Sequence, residues 1–396
     1  MFQRVSTAVV AFIVLFGATD LRSRAEFFRL EDLRPGMKGI GKTCYRGSKP
    51  EDFQVEILGV MRGVGPGANA VLARFSGGTL ADTGIFEGMS GSPVFIDGKL
   101  LGAVAFSFAF SKEAIGGITP ITQMVDAFSE SSEGPAVGPK VILKKSMLWD
   151  YRLTVPASDR AGSSWLLSQR DVSLQPALAP YAGHALAPIA TPLALGGISA
   201  ETLRMFTPQF RAMGFSVLPG SGGSGAQVGN QGKPSPASDS APLEPGSNVV
   251  VPLVRGDLDA SAGGTVTYVD GDKVYAFGHP LFNLGFTELP MQKGRTITVF
   301  PSLQSSFKIV ETGEPVGTVR QDRGSGIYGI LGQKAKLIPL RVRMLTSRGA
   351  KKELKYEVAR DRFLTPFLVN LTVFDSIIAS ERALGVSTLQ VKGKIT

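Results

Sequence analysis

The segment Gly88-Met89-Ser90-Gly91-Ser92-Pro93 gathers the residue types that acyl transfer requires. Glycines at 88 and 91 let the backbone curl so that the N–H groups of Gly88 and Ser90 face one spot. A developing oxyanion would sit at that spot, beside the Ser90 hydroxyl. Pro93 then ends the loop. An ordinary Gly/Ser turn has the same composition, so the serine needs a base before it counts as a nucleophile. Only two histidines exist. His184, in Tyr181-Ala182-Gly183-His184-Ala185, sits in a loop-like region without partner signals. His279, in Tyr275-Ala276-Phe277-Gly278-His279-Pro280-Leu281, lies at the end of a strand and against a turn. That is where a barrel presents a side chain to a cleft. Two histidines, the single cysteine Cys44 and no clustered ligand spacing argue against a metal site, and no cofactor is expected.

These residues must be positioned by strands. Glycine at 48, proline at 25 and a charged content of 19% favour β-structure with tight turns. Residues 53–60 alternate with period two, as a half-buried strand does. Ala70–Phe75 is a second strand, and Val94–Val104 a hairpin turning at Asp97-Gly98. A short helix is predicted over Ile121–Phe128. Residues 136–217 are an insert with a strand near Lys140–Leu143 and a helix capped by Ser199 and running to about Met213. Residues 218–247 are a Gly/Ser/Pro linker without enough apolar side chains to offset ordering entropy. Strands return at Val249–Val254, Gly264–Val269 and Lys273–Phe277. The last segment, 341–396, carries strands at Leu340–Leu345, Leu354–Val358 and Thr388–Ile395 and a helix near Thr365–Glu381. The expected fold is mostly β: a serine-bearing barrel half at 26–135 and a histidine-bearing half at 248–340, with a flexible insert and an extra C-terminal β-rich segment.

The N-terminus reads as an export signal (residues 1–25). Arg4 is followed by an apolar run from Ala8 to Ala18 and by the small-x-small site Ser23-Arg24-Ala25. The expected location is periplasmic or extracellular, with membrane contact only through this segment. One cysteine permits no internal disulfide. The net charge of +9 comes from short scattered basic groups such as Lys144–Lys145 and Lys351–Lys352 without interleaved aromatics. Nucleic acid is therefore not an expected partner.

The loop at 88–93 resembles the nucleophile loop of chymotrypsin-like peptidases. The longer pattern resembles the SpoIVB-type (sporulation stage IV B) serine peptidases. Thr83-Gly84-Ile85-Phe86-Glu87-Gly88-Met89-Ser90-Gly91-Ser92-Pro93 is similar to that family's nucleophile segment, and Gly98–Val104 extends the likeness. Gly264-Thr265-Val266-Thr267-Tyr268 with Ala276-Phe277-Gly278-His279 echoes its histidine segment, and Ser325-Gly326-Ile327-Tyr328-Gly329 a downstream glycine motif. The resemblance implies two chymotrypsin-like halves, Ser90 as nucleophile, His279 as base, and a protein or peptide substrate. The family order is histidine first, so this chain reads as circularly permuted, and no PDZ-like module precedes the halves. The family's acid falls a short way before the serine, at the place where this chain has Ser76. Asp322 and Asp82 are the candidates to replace it. Two readings follow: an exported endopeptidase acting on envelope proteins, or a catalytically inactive relative that keeps the barrels as a binding or structural module.

Overall fold

The alternating apolar positions of the chain close into two barrels. A computed structural model describes residues 26–65, 67–129, 186–220, 242–345, 349 and 351–379. The export segment, His184, the strands expected near Lys140–Leu143 and Thr388–Ile395, and most of the 218–247 linker lie outside the described residues.

In the first barrel the strands β1 (Lys38–Thr43), β2 (Glu51–Gly65), β3 (Ala68–Ser76), β4 (Pro93–Ile96), β5 (Lys99–Phe108) and β6 (Ile115–Pro120) are ordered β4-β1-β2-β3-β6-β5. All these pairings are antiparallel, and β4 pairs back onto β5, closing a six-stranded barrel. Alternate positions of β2 (Phe53, Val55, Ile57) point inward with Val71, Phe75, Val94 and Ile118, as the two-residue period of a strand demands. Asp97 and Gly98 both take positive φ (49° and 77°), the geometry that suits a two-residue hairpin turn. A one-turn helix, α1 (Leu80–Thr83), precedes the serine loop, and α2 (Ile121–Ser129) follows β6.

The second barrel comprises β10 (Asn248–Gly256), β11 (Asp259–Asp270), β12 (Lys273–Ala276), β13 (Gly285–Phe300), β14 (Phe307–Arg323) and β15 (Gly326–Leu331). Their order is β10-β13-β14-β15-β12-β11, and β10 pairs with β11 to close the ring. Its core holds Val249, Val251, Val266, Val274, Leu289, Met291, Val319 and Ile327.

The stretch expected as an insert is woven into both sheets. Strand β7 (Leu186–Pro188) pairs with β5, and β8 (Thr191–Gly196) with the first half of β11. Helix α3 (Ala200–Ala212) then returns the chain to β9 (Phe215–Pro219), parallel to β8. Ser199 caps α3, its Oγ accepting the Thr202 N–H at 3.3 Å. The C-terminal segment likewise joins the second sheet: β17 (Lys351–Ala359) pairs with β10, and β16 (Leu337–Leu345) with β17. Helix α4 (Leu364–Ile378) packs Phe367 against Phe206 and Phe210 of α3, with ring centroids 5.6 and 5.2 Å apart. Among the described residues no helix is long and apolar enough to cross a membrane.

An aromatic layer joins the two barrels. Phe128 of α2 stacks on Tyr328 at 5.6 Å, and Phe27 meets Tyr268 edge-on at 5.4 Å. Leu100, Ala103, Ile121 and Met124 pack into the same cluster. The seam where the barrels meet is where the serine loop lies.

Candidate active site

Met89 is fully buried in the core of the first barrel, beside Phe86 and Val94. Pinning that side chain inward leaves the backbone on either side of it to face the second barrel. The chain secures it there. The Ser90 carbonyl accepts the Thr265 N–H at 2.9 Å. The Gly88 and Gly91 carbonyls accept the hydroxyls of Thr265 (2.9 Å) and Thr267 (2.8 Å). Both threonines belong to β11. Amide protons along the loop are used selectively. Those of Glu87, Met89, Gly91 and Ser92 donate to Ser306, Phe86, Val104 and Met89 carbonyls, whereas those of Gly88 and Ser90 have no acceptor among the described residues. The two unused donors are the pair singled out from the sequence as an oxyanion hole.

Gly91 has no substitute. Its φ is +94°, and a Cβ there would lie 1.9 Å from the Thr265 oxygen and 2.6 Å from the Phe277 nitrogen. Gly91→Ala is expected to destabilise the fold by more than about 3 kcal/mol through overpacking and backbone strain together. Denaturant unfolding checks this, and a loss under about 1 kcal/mol would contradict the close approach.

The histidine reaches the same seam from the other side. After β12 the chain takes φ +71° at Phe277 and +70° at Gly278. A buried aromatic in the left-handed region costs on the order of 1–3 kcal/mol and persists only where its surroundings enforce it. Here the Phe277 ring fills the core of the second barrel, and Gly278 abuts β5, its Cβ position 2.8 Å from the Ala103 Cβ. The Gly278 carbonyl accepts the Thr119 hydroxyl at 2.6 Å. One atom ties the two motifs together: the Val104 carbonyl takes the Gly91 N–H at 2.8 Å and lies 3.5 Å from the Gly278 Cβ position. Residues 90–91 and 277–278, far apart in sequence, are thus neighbours.

The site is closed. Ser90 is 0% exposed and His279 2%. Pro192 of β8 lies beside Gly88, its Cγ 3.3 Å from the glycine's Cβ position. Ser90 Oγ and His279 Nε2 are both buried without a hydrogen-bond partner. The other imidazole nitrogen, Nδ1, is 3.0 Å from the Pro280 carbonyl oxygen. A carbonyl can only accept, so Nδ1 carries the proton and Nε2 is the bare, basic nitrogen.

Burial lowers the His279 pKa from 6.5 to about 4, against the opposing pull of the Pro280 carbonyl. The unfolded chain takes up this proton below about 6.5 while the folded one resists until about 4. The unfolded state therefore binds more protons in that window, and the contribution to stability is lost as pH falls through it. Buried Asp322 acts with the opposite sign, since burial raises its pKa to about 6 despite several backbone N–H donors. Comparison with His279→Gln separates the two. Between pH 7 and pH 4.5 the wild-type protein should lose stability relative to the variant, by on the order of 3 kcal/mol at most. A pH-independent difference in unfolding free energy would contradict a neutral buried imidazole.

The candidate acids lie elsewhere. Asp82 is exposed on α1, and Ser76 is exposed at the end of β3. The Asp322 carboxylate accepts the N–H groups of Leu281 (2.8 Å), Phe282 (2.6 Å) and Leu284 (3.3 Å). Asp322 is therefore not the imidazole's hydrogen-bond partner; it holds the turn that follows His279. Sequence reasoning also missed Thr265 and Thr267, although both stand within the quoted Gly264–Tyr268 segment. It missed Lys308 as well, for which no local signal exists.

Two closed antiparallel six-stranded barrels, with a Gly-x-Ser-Gly-Ser-Pro loop at their seam, define a chymotrypsin-like serine-peptidase architecture. Residues 29–125 match the family model described as SpoIVB peptidase S55, so the serine-bearing domain is similar to the SpoIVB-type family. No curated protein and no solved structure matches the chain.

Proposed function

We propose that the protein is an exported serine endopeptidase in which Ser90 is the nucleophile and His279 the base. The observation that carries this is the pair of orphaned polar atoms, Ser90 Oγ and His279 Nε2, buried at one seam. A buried unpartnered polar atom costs about 1–3 kcal/mol, and a fold retains two together where they have work in another state. In this reading, rotation of the serine or the imidazole brings the two atoms together. Ser90 Oγ then attacks the scissile carbonyl carbon while its proton passes to Nε2. The Gly88 and Ser90 amides receive the oxyanion. Nε2–H returns the proton to the leaving amine as the C–N bond breaks, and water hydrolyses the acyl-enzyme by the same steps reversed.

The Pro280 carbonyl occupies the orienting place that a carboxylate holds in a triad. It fixes the tautomer but stabilises imidazolium less, so the turnover of this site is low; loss of a triad acid costs about 10⁴ in rate elsewhere. The apolar Ala8–Ala18 run with its Ser23-Arg24-Ala25 site supports export and an envelope protein as substrate. The serine half precedes the histidine half, and triad chemistry does not depend on that order. A second reading, an inactive binding module, is favoured by closure of the site: Ser90 at 0% exposure admits no substrate until the seam opens around Pro192.

A fluorophosphonate probe distinguishes the two. The full chain and its processed form should acquire one adduct, mapped by mass spectrometry to Ser90. Folded, processed protein that stays unlabelled after prolonged exposure would favour the module.

A further inference from the structure

Lys308 is the one fully enclosed cation among the described residues, 1% exposed on β14, and no carboxylate pairs with it. Its Nζ donates to Thr43 Oγ1 (2.9 Å), Asn248 Oδ1 (3.0 Å) and Thr265 Oγ1 (3.3 Å), and lies 5.8 Å from the Phe86 ring centroid. Burying a charge among neutral dipoles is expensive, and an apolar side chain would fill a barrel strand without that cost. Resting on the reading of Ser90 as nucleophile, we infer that Lys308 is a positioning residue that locks the serine loop in its oxyanion-binding conformation through Thr265.

The hydrogen-bond directions enforce this. An ammonium group has three protons and no acceptor, and all three are used. Thr265 Oγ1 must accept from Nζ, so its own proton goes to the Gly88 carbonyl. Lys308 also donates its backbone N–H to the Glu87 carbonyl at 2.9 Å. Thr265 donates its backbone N–H to the Ser90 carbonyl. The carbonyls of 87, 88 and 90 are thus all held by Lys308 or Thr265. In a trans peptide the N–H points opposite to the preceding carbonyl, so anchoring the Glu87 oxygen on β14 turns the Gly88 N–H away from that strand.

Deprotonation reverses the relay. A neutral amine can accept, so the Thr265 proton is free to turn to Nζ and release the Gly88 carbonyl. Burial lowers the Lys308 pKa to about 8, which brings this switch within reach of ordinary solution conditions. The other buried titratable groups of this region do not share that window. The Cys44 thiol is raised above its usual value by burial, the Tyr45 hydroxyl is raised, and His279 is lowered. Glu87, on the adjoining loop, turns its carboxylate to Ser305, and Asn248, Thr43 and Pro192 carry no charge.

The test is an amide NMR titration of the full chain from pH 6.5 to 9.5, read at Gly88 to Gly91, alongside the rate of Ser90 phosphonylation. The loop amides should move with a midpoint near 8, and labelling should fall about ten- to hundredfold above it, below the loss for deleting a donor outright. Lys308→Met and Thr265→Val should each abolish the loop response and slow labelling at pH 7 by a similar factor. Thr265→Ser, which keeps the hydroxyl, should retain the response. Thr265→Val preserves shape and so reports even if Lys308→Met does not fold. Loop amides that ignore pH in the folded wild-type protein would overturn the relay. Amides that respond as described in a protein that never labels would leave the relay standing and remove the catalytic reading.

Discussion

Ser90→Ala should abolish phosphonylation and lower peptide hydrolysis by about two orders of magnitude, what is left of a full triad's roughly 10⁶ once the acid's roughly 10⁴ is already missing. The same variant should fold at least as stably as the wild type. Ser90 Oγ is enclosed and unpartnered, and removing a hydroxyl in that state relieves a desolvation cost of about 1–3 kcal/mol. The vacated space is smaller than a methyl group, so the opposing cavity cost is slight. A residue retained against stability is the signature of a functional constraint. Calorimetry and activity together check the pairing. Hydrolysis that survives Ser90→Ala would place the chemistry elsewhere, and a loss of more than about 1 kcal/mol would show the hydroxyl to be structural.

The second large effect concerns Asp322, where stability rather than rate should suffer first. Its carboxylate gathers three N–H groups of the turn after His279. Asp322→Ala leaves them without an acceptor inside the protein, at a combined cost of about 4 kcal/mol or more. Asp322→Asn keeps one accepting oxygen but sets an NH₂ group against the other donors, so it should lie between alanine and wild type. Loss of labelling should follow the loss of the turn. A triad acid behaves otherwise: its amide replacement leaves geometry and stability intact and removes rate alone. Urea unfolding and labelling of both variants separate the roles. Full stability in Asp322→Ala would contradict the anchor.

The parts of this fold that local chemistry dictates were legible in the sequence. Asp97-Gly98 marks a turn because few other dipeptides accept two positive φ values, and the hairpin is there. Ser199 marks the start of α3 because its oxygen can satisfy an otherwise orphaned amide. The Gly91 requirement follows from a backbone meeting another backbone, which leaves a glycine in the chain as its trace. The weaving of residues 186–219 into both sheets was not legible. The β7 and β8 segments contain Pro188 and Pro192 and lack clear alternation, and their pairing with β5 and β11 is set by edges that no local pattern announces. Likewise Asp322 looks like a candidate acid in any linear reading. Only the turn at Leu281–Leu284, folded around it, shows which protons it accepts. Lys308 stands among apolar neighbours in Phe307-Lys308-Ile309-Val310, where alternation leaves its face undecided; that it points inward follows from Thr43, Asn248 and Thr265 meeting there.

The family match ends at residue 125, so the assignment of His279 rests on packing alone. That packing is specific. Met89 buries itself in one barrel and Phe277 in the other, and Gly91 and Gly278 meet at the Val104 carbonyl between them.

The most direct test reads the imidazole nitrogens of His279 by ¹⁵N NMR, before and after phosphonylation of Ser90. In the free protein at pH 7 Nδ1 should carry the proton and Nε2 should be bare, as the Pro280 carbonyl dictates. In the adduct both nitrogens should be protonated, because the phosphonyl oxygen places negative charge where the oxyanion would form. An Nε2–H tautomer in the free protein, or an imidazole spectrum that the adduct leaves unchanged, would contradict the pairing of Ser90 with His279.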